Sequence, residues 1–367
     1  MHRLPKIYDL ESCQCRCVGE SSWLRPVCVF IGGCRRPSED ARLGATSIKS
    51  IQGKGSDMNK MRPDTSKIVI KDNRRMIQQF ISEVILAPRA PLLKWAKITN
   101  QTPNLKIGYP GQHLASLLTG MPGTATGARG EDIVDGTEVK SCSRVDQVDN
   151  CKTCGSRIMR NQKRCPNCGS DEIKRNNDSK WLIAIRSPKE LDMYLNQIPR
   201  MLFILSDYPY FKQGDFDTIR FVAYEIWNQS DRAANFRKLL EDYYWNIYCE
   251  HIKRDPNKTP APKNFWPYKQ QFYMCNPIKT FECVIHDANM PSAKIDLLHY
   301  VEPDADRSNL PSEDMPQALL NKSERDILRT NGIDLRKTYA IDEATRKLLV
   351  LRDTSKAMPH EKEYHRM

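Results

Sequence analysis

The chain has 367 residues, a length that suggests two domains with room for a small third module. Hydrophobic residues make up 40% and charged residues 28%, with a mean hydropathy of -0.62, which excludes fibrous and wholly disordered classes, and no apolar run approaches the roughly 18 residues of a membrane span. Lys plus Arg (57) exceed Asp plus Glu (45) by 12, so a polyanionic partner is indicated, nucleic acid first.

The short apolar stretch Val27 to Ile31 is bounded by cysteines and Arg35-Arg36 and lacks the layout of a signal peptide, so a prokaryotic cytoplasmic location is expected. Residues 1–57 carry Cys13, Cys15, Cys17, Cys28 and Cys34 without sustained periodicity. Alternate-residue thiols lack the knuckle spacing of zinc sites, so this segment reads as a disordered or mis-started extension whose initiator is Met58 or Met61.

From Asn73 to Ile85 the apolar residues Met76, Ile77, Phe80, Ile81 and Val84 have helical spacing, with Asp72 or Asn73 as cap and Pro88 as the stop. A turn at 108–111 leads to a helix over 112–118 with Leu114, Leu117 and Leu118 on one face, then to a Gly-rich loop over 120–127. Three buried strands are expected at 181–185, 201–205 and 219–227. Helices are expected over 188–197, opened by Pro188, and over 231–253, capped by Ser230. Strands alternating with helices predict an α/β core with a mixed sheet. The aromatic, lysine-rich stretch 255–291 reads as a long ordered loop and 300–316 as an acidic linker. Ser323 opens a short helix ended by Asn331-Gly332, and Asp342 opens another through Leu351.

The segment 131–141 carries the densest chemistry. Asp135-Gly136 is a hairpin signal, because Gly accepts the positive φ of a tight turn. A three-residue loop there sets Asp132 opposite Lys140, and strand alternation puts Asp132, Glu138 and Lys140 on one face. Two carboxylates and one ammonium need water or a cation, and Mg²⁺ suits them because it takes hard oxygen ligands and shares protein carboxylates with substrate phosphate. The lysine would hold the attacking water and offset charge in the transition state. The competing reading is an exposed hairpin with solvated charges.

Downstream, Cys151-Lys-Thr-Cys154-Gly155 and Cys165-Pro-Asn-Cys168-Gly169 form two matching knuckles. Each turn can bring two thiolates to one ion, and four thiolates on Zn²⁺ close its coordination, so the site is structural. Arg157, Arg160, Lys163 and Arg164 lie between the knuckles as candidate DNA contacts; alternatively they balance the charge of the four-thiolate centre. Cys142 shares strand parity with Glu138 and Lys140 and reads as a buried thiol.

The pattern D-x5-E-V-K formed by Asp132, Glu138, Val139 and Lys140, with Gly108 to Leu114 and Thr126 to Glu131 before it, resembles the PD-(D/E)xK nuclease core. It is similar to MutH-type nicking enzymes and type II restriction endonucleases, and from about Met58 onward it looks most like the MamI group. The resemblance implies that Asp132 and Glu138, with the Val139 carbonyl, bind Mg²⁺ and that Lys140 orients the nucleophilic water. MutH-type enzymes carry a glutamate in the upstream helix where this chain has Ala115 or Ser116; Glu131, Asp135 or Glu83 could supply the third carboxylate, or Gln112 a neutral substitute.

The organisation expected is an extension over 1–57, a first part of the nuclease core over 58–150 and an inserted zinc module over 151–175. The rest of the core then covers 176–255, and a DNA-contacting or dimerising region covers 256–367. The function implied is Mg²⁺-dependent, sequence-specific hydrolysis of double-stranded DNA to 5′-phosphate ends by a homodimer, with a cognate DNA methyltransferase encoded alongside and no membrane association. Competing readings are a MutH-like nicking repair endonuclease and a non-enzymatic zinc-containing nucleic-acid-binding factor.

Overall fold

The computed structural model describes residues 61–103, 106–125, 131–352 and 358–366, so the extension expected over 1–57 lies outside the described residues. Helix α1 (Asn73–Phe80) continues in wider turns through Leu86 and buries Ile77 and Ile81 completely. Asp72 does not cap it through its side chain: it takes a positive φ of 57° and its carboxylate pairs with Arg75. After Pro88, helix α2 (Arg89–Thr99) forms where no periodicity announced one, since it buries only Arg89 and Ala96. Helix α3 (Gly108–Thr119) absorbs the turn expected at 108–111. Pro110 is tolerated there because a first helical turn has no intrahelical partner for its N–H.

Strand β1 (Glu138–Ser143) is followed by the small strands β2 (Asp149–Cys151), β3 (Arg157–Ile158) and β4 (Ile173–Lys174), which make a three-stranded sheet of their own in the order β3-β2-β4. Then come β5 (Trp181–Ile183), helix α4 (Pro188–Asp192, continuing to Gln197), β6 (Arg200–Asp207) and β7 (Ile219–Trp227). Helix α5 (Ala234–Asp242) extends in helical turns to Arg254, before β8 (Lys263–Phe265), β9 (Ile278–His286) and β10 (Lys294–Tyr300). Ser187 and Ser230 accept backbone N–H groups at the starts of their helices, as short hydroxyl side chains do at N-caps.

The main sheet has the order β1-β6-β7-β9-β10, with β1 parallel to β6 and the other pairs antiparallel. All eight residues of β6 are buried, because both faces are covered. On one face Leu202 and Ile204 share a core with Ile77, Leu114, Ile133 and Val139. On the other, Phe203 meets Trp181 at 5.1 Å, Phe265 at 6.2 Å and Phe236 of α5 at 6.3 Å. The fold is thus a mixed α/β layer structure.

Several expectations change. The stretch 255–291 is not a loop: it holds β8, a helix over Gln270–Met274 and β9, an interior strand of the sheet. The boundary expected at 255 therefore falls inside the sheet, which runs on to Tyr300. Residues 300–316 are no free linker, since Arg307 is 1% exposed and donates to the carbonyls of Glu302 at 3.0 Å and Pro303 at 2.9 Å. The helix over Lys322–Thr330 is capped by Asn321, with Glu324 completing a capping box, rather than by Ser323. Asp342 does cap a helix, but only over Glu343–Arg346.

Candidate active site and cysteine centre

The hairpin expected over 131–141 does not form as two paired strands. A turn over Ile133 to Gly136 closes through Gly136 N–H to Ile133 O at 2.9 Å, and residues around Ile133 bridge antiparallel to Gly123 instead. Glu138 begins β1, whose partner is β6. Gly136 has a φ of 88°, and a Cβ there would stand 3.0 Å from Pro199 Cδ, so glycine is required at this turn.

Asp132, Glu138 and Lys140 nevertheless converge. Asp132 Oδ2 accepts the Val139 N–H at 2.8 Å, which hangs the carboxylate on the start of β1. Its Oδ1 accepts from Gln112 Nε2 at 2.8 Å, reaching across from α3. Glu138 and Lys140 project from the same strand face and form an ion pair. Both carboxylates are buried, Asp132 at 8% and Glu138 at 2% exposure, while Lys140 is half-buried. Burial is the main cause that raises the Asp132 carboxyl above its ordinary value; the Val139 N–H pulls it down and Glu138 pushes it further up.

Helix α3 approaches β1 closely enough to deliver Gln112 because residue 111 is glycine: a Cβ there would lie 2.0 Å from Ser141 Oγ. Of the four candidates for a third ligand, only Gln112 touches this cluster. Asp135 is committed to Arg200 at 2.7 Å, Glu83 is exposed and accepts from Gln79 at 2.8 Å, and Glu131 is exposed. Among the described residues no third Asp, Glu, His or Cys groups with Asp132 and Glu138.

Arg200, which sequence reading missed, anchors this corner. Its guanidinium donates to Thr137 Oγ1 at 2.9 Å, pairs with Asp135 and Glu225, and stacks 4.9 Å from the Trp227 ring centroid. Burial alone would raise the Glu225 carboxyl, but Arg307 and Arg200 hold it below its ordinary value. No local signal marks this network, since Arg200 and Asp135 are 65 positions apart.

The four cysteine thiols of 151, 154, 165 and 168 lie within 4.8 Å of one another, with Cys151–Cys168 and Cys154–Cys165 Sγ separations of 3.6 Å. Tetrahedral ligands at a Zn–S distance of about 2.3 Å stand about 3.8 Å apart, so the cluster could hold such an ion. The two knuckles repeat one geometry: Gly155 N–H donates to Cys151 O at 3.0 Å and Gly169 N–H to Cys165 O at 2.9 Å, with φ values of 74° and 72°. The hydroxyl and backbone of Ser156 draw the Cys154 thiol down to about 5. Cys142, by contrast, is buried and its thiol is pushed up to about 12.

The basic residues between the knuckles divide. Arg157, Lys163 and Arg164 are exposed. Arg160 is not: it is 2% exposed, pairs with Asp149 at 3.2 Å and lies 5.0 Å from the Phe211 ring centroid and 5.2 Å from that of Phe216. Its guanidinium is tied to Asp149 of the module and packed on Phe211 and Phe216 of the core, which links the two. Lys163 lines a groove of about 850 Å³ together with Lys94, Lys97, Arg175 and Lys212, and the buried Arg160 borders the same groove.

The family model described as MamI restriction endonuclease matches residues 94–318, which takes in β1, the cysteine module and the sheet through β10. A second, described as CXCXC repeat, matches residues 5–17, outside the described residues. Over 152 residues the chain is 32% identical to the type II restriction enzyme MamI of Microbacterium ammoniaphilum, covering 41% of this chain and 43% of that enzyme. The chain thus spans less than half the length of this curated relative. No solved structure matches. The chain belongs to the MamI restriction endonuclease family.

Proposed function

We propose that this protein is a type II restriction endonuclease that hydrolyses phosphodiesters of double-stranded DNA at Asp132, Glu138 and Lys140 in a PD-(D/E)xK core. The observation that carries the reading is the convergence of two buried carboxylates and one half-buried lysine at the start of β1 in a member of this family. Two carboxylates against one lysine leave the cluster short of positive charge, which fits a divalent cation held by Asp132, Glu138 and the Val139 carbonyl. A bound Mg²⁺ supplies charge stabilisation to the scissile phosphate and acidifies the attacking water. Gln112 and the Val139 N–H hold the Asp132 carboxylate in place, and Lys140 positions the water and offsets charge on the phosphoryl oxygens. In-line attack on phosphorus breaks its bond to the 3′ oxygen, leaving a 5′-phosphate and a 3′-hydroxyl.

The lysine-lined groove would carry the DNA backbone, with Arg157 and Arg164 adding phosphate contacts. Cutting both strands of a symmetric site calls for two such centres, hence a homodimer. A companion DNA methyltransferase would protect the host sites. Zn²⁺ on the four thiolates would be structural, since it leaves no open position for water.

The test is digestion of unmethylated phage DNA with Mg²⁺ and sequencing of the ends. Discrete, repeated cut sites are expected from the wild type and none from Glu138→Gln or Lys140→Ala, both still binding DNA. Wild-type cutting by either variant rejects the site.

A further inference from the structure

The two carboxylates assigned to the metal stand at the two ends of one loop. Asp132 opens it, and Glu138 follows its last residue, Thr137. One carbonyl draws the loop shut, since Thr137 O accepts the N–H of Asp132 at 3.1 Å and that of Ile133 at 3.2 Å. The place of Thr137 therefore sets how far Asp132 stands from Glu138. The limb next to Asp132 is held on its own side, with Ile133 fully buried and the Val134 N–H donating to Pro122 O at 3.1 Å.

The limb next to Glu138, from Asp135 to Thr137, is held from β6 by Arg200. Met201 pairs with Glu138 in the sheet, so Arg200 stands one position before that pair, beside the end of the loop. Its Nε donates to Thr137 Oγ1 at 2.9 Å and its Nη2 to Asp135 Oδ2 at 2.7 Å, while Asp135 Oδ1 accepts the Thr137 N–H at 3.0 Å. One guanidinium thus fixes Thr137 at its hydroxyl directly and at its N–H through Asp135. The guanidinium is fixed in turn, since Nη1 donates to Glu225 of β7 at 3.3 Å and its face lies 4.9 Å from the Trp227 ring centroid.

Stability alone does not call for this arrangement, because packed apolar side chains in place of a buried ion pair are often neutral or stabilising. What apolar packing lacks is direction. A planar fork reaches Thr137, Asp135 and Glu225 along fixed lines, whereas an ammonium is a point charge on a flexible stem.

We propose that Arg200 is a positioning residue for the cleavage reaction: through Asp135 and Thr137 it sets the separation of Asp132 and Glu138, and with it the affinity for the divalent cation. At 1% exposure it does not touch substrate itself. The inference rests on the active-site reading above.

The probe is Mg²⁺, titrated calorimetrically into the full chain, with amide hydrogen exchange of the metal-free protein as a second readout. Arg200→Lys keeps a cation near Asp135 and Glu225 but loses the fork. It should bind Mg²⁺ about 10- to 100-fold more weakly, as expected when a partner that orients metal ligands is lost, and the Mg²⁺ concentration for half-maximal single-turnover cleavage should rise with it. The amides of Asp132 and Ile133 should lose protection, because the carbonyl they bond to is no longer held. Thr137→Val removes only the hydroxyl acceptor and should act in the same direction, which keeps the test open should Arg200→Lys not fold. Thr137→Ser, which retains the hydroxyl, should bind Mg²⁺ as the wild type does.

A residue with a merely structural role would lower the melting temperature and leave the other readouts alone. Arg200→Lys and Thr137→Val proteins with wild-type Mg²⁺ affinity and protected Asp132 and Ile133 amides overturn the proposal. Wild-type cutting by Glu138→Gln rejects the active-site reading instead, whereas an inactive Glu138→Gln beside an Arg200→Lys with wild-type Mg²⁺ affinity rejects the positioning role alone.

Discussion

Substituting Gly111 by alanine tests how the candidate site is assembled. A Cβ at this position of α3 would lie 2.0 Å from Ser141 Oγ and 2.9 Å from Ser141 Cβ. The hydroxyl can rotate away, but the Ser141 Cβ belongs to β1 and cannot. Ordinary carbon contacts lie at about 3.5–4.0 Å, so the helix must retreat by roughly 0.5–1 Å. Such overpacking costs about 1–3 kcal/mol, against which alanine returns about 1 kcal/mol of helix preference, leaving a net loss of about 0–2 kcal/mol. The larger effect falls on Gln112, whose 2.8 Å bond to Asp132 would stretch beyond useful length. A misplacement of about 1 Å can cost on the order of 100-fold in rate. Urea denaturation and single-turnover cleavage with Mg²⁺ measure the two effects. Ser141→Gly in the same chain should recover much of the rate, because Ser141 Oγ has no hydrogen-bond partner to lose among the described residues. A Gly111→Ala protein with wild-type stability and rate would refute the argument.

Other expectations rest on separate parts of the molecule. Burial holds the Asp132 carboxyl above its ordinary value, so the unfolded chain releases this proton at lower pH than the folded one and stability falls as pH rises through that window. Asp132→Asn should therefore melt higher than the wild type at pH 8 without metal, lose that advantage at low pH, and not cleave; an unchanged melting difference between the two pH values contradicts the shift. Arg160→Glu should destabilise the protein by about 3–5 kcal/mol, since it buries a second carboxylate against Asp149, which keeps only Arg175 as a cationic partner, whereas Lys163→Glu should keep wild-type stability and weaken DNA binding with a shallower salt dependence. Equal melting of the two variants would place Arg160 at the surface. Cys154→Ser should reduce bound zinc from about one per chain and lower stability, read by elemental analysis and melting; a metal-free wild type that is fully stable would remove the zinc assignment.

What could be read from the chain is whatever a short stretch decides alone. Each C-x-x-C-G knuckle closes through its own backbone, so the spacing around Cys151 and Cys165 already describes the thiol cluster. Strand parity likewise puts Glu138 and Lys140 on one face whatever β1 pairs with, and the apolar runs of β6 and β7 announce buried strands. Asp132 joined them for a reason other than the one expected, since its link to β1 is a side-chain bond to Val139 rather than a hairpin ladder. The interior strand β9 escaped notice because lysine and aromatic neighbours masked its alternation.

Tertiary structure alone decided which polar groups are spent and which are available. Lys163 and Arg160 are three positions apart, equally basic and border the same groove, yet Lys163 is exposed whereas Arg160 is buried against Asp149, Phe211 and Phe216. Asp135 and Gln112 looked like equal candidates until Arg200, 65 positions from Asp135, claimed the carboxylate and α3 carried the amide to Asp132. The physical reason is that residue type and local spacing determine the backbone conformation and the side-chain face. The charge a side chain presents depends on burial and on partners distant in sequence, which exist only once the sheet, helices and cysteine module have packed together.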